Sequence, residues 1–81
     1  MPVQPLTTIT MKPFRKRLES AIRLAKLNGY SVDTHEGTGF IRVRVVSPSK
    51  LSDYEYYFFS GNGDEVRERE ETLADLLRWV S

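Results

Sequence analysis

A change of hydrophobic period at "NGY", Asn28 to Tyr30, sets the fold class of this chain. Before it, Phe14, Leu18, Ala21, Ile22 and Ala25 recur at spacings of three and four, which gathers them on one stripe of a helix. After it the apolar residues alternate with polar ones, the pattern of strands buried on one face only. A one-sided helix feeding one-sided strands predicts an α+β domain in which the two apolar surfaces cover each other.

Three strands follow from the alternation. In "YSVDTH", Tyr30, Val32 and Thr34 share one face and Ser31, Asp33 and His35 the other, and "EGTG" reads as a loop. In "FIRVRVV", Ile41, Val43 and Val45 point inward, and Phe40, Arg42, Arg44 and Val46 outward. Beyond "SPSKLS", Tyr54, Tyr56 and Phe58 point inward, and Asp53, Glu55, Tyr57 and Phe59 outward. Centring each hairpin on its loop pairs Val32 with Val43, Val43 with Tyr56, and Ile41 with Phe58. The same register sets Asp33 and Tyr57 on either side of Arg42, Arg44 opposite Glu55, and Phe40 between His35 and Phe59.

The two ends complete the expected architecture. Residues 1–10 read as a flexible arm or an edge strand, with a single α+β domain over 11–81. Pro13 suits the first turn of the helix, and Gly29 a left-handed position just past its end. Asn62-Gly63 is a strong hairpin signal, so "DEVRERE" reads as a fourth, charged edge strand. Thr72 and Asp75 would then open a last helix striped by Leu73, Leu76, Leu77 and Val80; the alternative is one helix capped by Asp64 and running to the end. The expected fold is a helix, a three- or four-stranded antiparallel meander and a C-terminal helix, both helices on one face of the sheet.

Several chemistries are excluded by what the chain lacks. With no cysteine among 81 residues, disulfides, thiolate catalysis and cysteine zinc sites are all absent. His35 is the only histidine, so no histidine-paired metal site forms and no cofactor or metal is expected. "DEVREREE" lacks the alternating oxygen ligands and mid-loop glycine of a calcium loop, and "SGNGDE" is too acidic to cradle phosphate. The start "MPVQPLTTIT" has no basic-then-apolar pattern, and no apolar run approaches the roughly 20 residues a membrane span needs. A cytoplasmic, non-enzymatic protein with no membrane contact is the expectation.

Charge is distributed unevenly despite a formal net charge of +1. Residues 1–50 hold nine Lys/Arg against three Asp/Glu, whereas residues 51–81 hold three against eight. On the first helix Lys12, Arg15, Lys16, Arg23 and Lys26 gather opposite the apolar stripe, a candidate nucleic-acid-binding face.

The order helix, three antiparallel strands, helix resembles the double-stranded-RNA-binding domain and the small mRNA interferase toxins that share its fold. "LAKLNGYSVDTHEGTG" is similar in rhythm to the toxins' helix, Gly-aromatic pair and first strand, over under half of the chain. The resemblance implies RNA as a ligand class and, through His35, a histidine-dependent ribonuclease. The toxins place that histidine after the glycine turn, where this chain has Phe40, whereas His35 lies before the turn, and the RNA-binding domain's lysine-rich start to its last helix is matched here by "EETLAD".

The outward aromatic residues supply the leading reading. Phe40, Tyr57 and Phe59, flanked by Arg42, Arg44 and His35, form an amphipathic sheet surface of residue types enriched at binding hot spots. A protein partner is the expected ligand, with a second copy of the chain as the homodimer alternative. Small cysteine-free chains without a catalytic motif include many phage-encoded inhibitors of host systems, anti-CRISPR proteins among them. A nucleic-acid-binding module using the basic helix and the aromatic sheet is the second reading, and the ribonuclease the third.

Overall fold

A computed structural model describes the backbone of residues 4–81 and the side chains of residues 12–81. Helix α1 spans Gln4–Leu27, strands β1, β2 and β3 span Ser31–Gly37, Phe40–Val46 and Asp53–Phe59, and helix α2 spans Asp64–Val80. The strands form one antiparallel meander in the order β1-β2-β3. One core joins the layers: Phe14, Leu18, Ala21 and Ala25 of α1, Ile41, Val43, Val45 and Phe58 of the sheet, and Leu73, Leu76 and Val80 of α2. The expected α+β architecture is present, with both helices packed on the inward sheet face.

Helix α1 starts earlier than its proline suggests. Pro13 lies inside the helix rather than in its first turn, and the backbone of residues 4–10 is helical where an arm or edge strand is expected. Residues 1–3, the remainder of that expected arm, lie outside the described residues. A proline removes one backbone donor and crowds one carbonyl, which burdens a helix without necessarily ending it. At the other end Gly29 adopts φ 89°, as its position requires. Its N–H donates to Lys26 O at 3.0 Å and that of Tyr30 to Ala25 O at 3.0 Å, the paired bonds of a Schellman turn.

The β2–β3 register is the expected one: Ile41 faces Phe58, Val43 faces Tyr56, Arg42 faces Tyr57 and Arg44 faces Glu55. The β1–β2 register is displaced by two residues. Val32 faces Val45 rather than Val43, Asp33 faces Arg44 rather than Arg42, and His35 faces Arg42. The cause is the turn, which is only Thr38-Gly39, with Gly39 at φ 79°, so Glu36 and Gly37 belong to the strand. A slip of two preserves which side chains face inward.

Residues 64–71 are helix, not a fourth strand, and Asn62-Gly63 leads into α2 instead of turning a hairpin. Thr72 sits inside this helix and donates to Glu68 O at 2.8 Å, so it opens nothing. The stripe is Arg69, Leu73, Leu76 and Val80, all buried, while Leu77 is partly exposed. Arg69 takes the place of an apolar residue because its Nη1 donates to Phe59 O at 2.6 Å and Gly61 O at 2.9 Å, clasping α2 to the end of β3. Tyr54, expected to be inward, is on that face but 48% exposed, its ring set edge-on against Trp79 at 4.5 Å near the end of α2.

Candidate interaction surface

Alternation along β2 and β3 leaves Phe40, Tyr57 and Phe59 on the face turned away from the helices. Phe40 stands directly across the ladder from Phe59. The three ring centroids form a near-equilateral triangle, 6.0 Å for Phe40–Tyr57 and 6.3 Å for both Phe40–Phe59 and Tyr57–Phe59. Tyr57 and Phe59 lie almost parallel, at 15°, and remain 42% and 45% exposed. Phe40 is half-buried for a local reason. Its partner on β1 is Gly37, and the phenyl ring folds over that glycine so closely that a Cβ there would lie 2.2 Å from Cε1.

The surrounding polar residues divide into two groups. Arg42, opposite both His35 and Tyr57, is half-buried, and its Nε is buried without a hydrogen-bond partner. Arg44 is held by Asp53, its Nε donating to both carboxylate oxygens at 3.0 and 3.1 Å and its Nη2 to Oδ2. Those hydrogen bonds keep the Asp53 carboxyl below its usual range and raise the Arg44 guanidinium. Arg44 therefore contributes little net positive charge to the rim. His35 is exposed, with its ring 6.3 Å from Phe40.

On the opposite side of the molecule Lys12, Arg15, Lys16, Arg23 and Lys26 are all exposed on α1. Arg15 is drawn to Glu36 of β1 at 2.8 Å, and that hydrogen bond lowers the Glu36 carboxyl and raises the guanidinium. The other four make no ion pair among the described residues. The basic face and the aromatic face thus do not meet.

The residues that sequence reasoning overlooks lie beside β3. Tyr57 and Phe59 also line a groove that continues onto α2, where Glu65, Glu68, Glu71 and Asp75 stand beside the buried Arg69. Asp75 then connects to Tyr54, Tyr56 and Trp79 farther along the same edge. Only the acidic balance of residues 51–81 signals this groove in advance. Among the described residues, no three acidic or histidine side chains converge closely enough to hold a metal ion.

No family model, curated protein or solved structure matches the chain. Among the described residues no helix is long and apolar enough to cross a membrane.

Proposed function

We propose that this chain is a non-enzymatic binding module that works through protein–protein contact at the outer sheet face. The contact centre is Phe40, Tyr57 and Phe59, and the rim Arg42, Arg44 and His35. One observation carries the reading: two stacked rings, 42% and 45% exposed, sit beside a third on a sheet face that no described segment covers. Aromatic side chains bring large, rigid contact area at low entropic cost, which is why they anchor hot spots. Carboxylates beside the rings, together with the neutralised Arg44, favour a protein over a phosphate backbone at this face. A role as a phage-type inhibitor of a host system, such as an anti-CRISPR protein, is the finer form of the proposal.

Affinity capture from the native cell tests the reading, using the chain and its Phe40→Ala/Phe59→Ala variant with and without nuclease. A protein retained by the parent chain, indifferent to nuclease and lost with the variant, is the expected result. Nuclease-sensitive capture that survives the ring substitutions but not neutralisation of Lys12, Lys16, Arg23 and Lys26 would replace this reading with the nucleic-acid module.

A further inference from the structure

We infer that the partner segment recognised at this surface is an extended, arginine- or lysine-bearing strand that seats in the groove between β3 and α2. The inference rests on the protein-binding reading and specifies the chemistry of its ligand. Three features of the groove converge on such a segment.

The first is a free strand edge. β3 is an outer strand of the sheet, and Ser60 N–H donates to Gly39 O at 3.0 Å, which fixes the alternation of the β2–β3 ladder. By that alternation Glu55, Tyr57 and Phe59 direct their main-chain groups to the open side. The Phe59 carbonyl is already taken by Arg69 Nη1 at 2.6 Å, so Arg69 closes one end of the edge. Among the described residues the stretch before it keeps unpaired donors and acceptors, which is where an added strand gains its main-chain bonds.

The second is the wall opposite. Glu65, Glu68 and Asp75 line the groove along α2, and Asp75 alone among these three forms an ion pair among the described residues, with exposed Arg78. Carboxylates spaced along a helix beside a strand edge offer forked acceptors to guanidinium groups from a neighbouring chain. The third is the exposed rings of Tyr57 and Phe59, whose faces attract the same cations. An acidic or neutral segment would satisfy the edge but not the wall, and phosphate would be repelled by it.

Anisotropy titration with labelled eight-residue peptides tests the inference. One peptide alternates arginine with valine, and two others carry glutamate or serine in place of arginine. The intact chain should bind the arginine peptide saturably and the other two at least about tenfold more weakly. Glu68→Gln/Asp75→Asn should lose that preference, whereas Glu19→Gln/Asp33→Asn, which changes net charge equally but lies outside the groove, should keep it. Equal effects of the two double variants, or no saturable binding of the arginine peptide, would overturn the inference. Capture of a native partner that depends on Phe40 and Phe59 but not on Glu68 and Asp75 would also overturn it, while leaving the sheet-face reading standing. Light scattering covers the remaining occupant: concentration-dependent self-association abolished by Glu68→Gln/Asp75→Asn would assign the groove to the basic helix of a second copy instead.

Discussion

Replacing Arg69 with methionine removes the clasp between α2 and the sheet while keeping a side chain of similar length. Arg69 is 3% exposed, its Nη1 donates to two carbonyls at 2.6 and 2.9 Å, and its guanidinium lies 5.3 Å from the Phe14 ring centre. Hydrogen bonds from a charged donor contribute about 1.5–3 kcal/mol each, and the ring contact adds about 1 kcal/mol. Against this stand the burial of a guanidinium that no carboxylate pairs with among the described residues and an Nε left without a partner. An unsatisfied buried donor costs about 1–3 kcal/mol, and methionine also recovers apolar contact. The balance is a loss of about 2 kcal/mol, equivalent to a fall in Tm of about 10 °C for a domain of this size. Urea unfolding followed by circular dichroism measures it. Unchanged or increased stability would mean that burying the charge costs as much as its bonds return, as in proteins where apolar residues replace buried ions without loss.

Three further outcomes follow from the packing and the ion pairs. Val43→Ala, at a site with 0% exposure, should cost about 1–3 kcal/mol in the same unfolding assay through lost burial and a cavity; a change typical of a surface site would contradict the β2 facing. Gly37→Ala should expel the Phe40 ring, seen as altered ring-current shifts of Tyr57 and Phe59 by NMR; unchanged shifts would show that the ring does not depend on the glycine. Arg17 donates to both carboxylate oxygens of Glu70 and so lowers its pKa, with burial opposing. Because the folded value lies below the unfolded one, the pair stabilises above the ordinary carboxylate range and loses that effect as pH falls through the folded value. Glu70→Gln should therefore be less stable near neutrality, by no more than about 1 kcal/mol for so exposed a pair, and equal to the parent in acid. A difference that persisted in acid would assign it to packing.

The sequence conveyed the meander and its facing well, for reasons that individual residues explain. Opposite charges across β2 and β3, such as Arg44 and Glu55, agree with the inward pairing of Ile41 with Phe58, and the Ser47 N–H bond to Ser52 O at 2.9 Å closes the loop symmetrically about the same centre. The β1 register slipped because Glu36 and Gly37 read as loop, yet Glu36 is a strand residue that reaches α1 through Arg15. The first half of α2 was hidden by Arg69, a charge occupying a stripe position whose partners are carbonyls that no periodicity reveals. Of the candidate site, the ring cluster was visible because its members alternate within two strands. The groove was not, since it joins β3 to residues of α2 that sequence patterning assigned to another strand.

Phe59→Ala, studied in the isolated chain by thermal unfolding and with a captured protein partner by calorimetry, tests most directly whether the outer rings form the contact surface. The ring is 45% exposed, so its removal should shift Tm by only a few degrees, about the effect of a surface substitution. Binding should weaken by about 2 kcal/mol or more, the signature of a hot-spot anchor. A large fall in Tm with unchanged affinity would contradict the account and make the aromatic cluster part of the fold's own support.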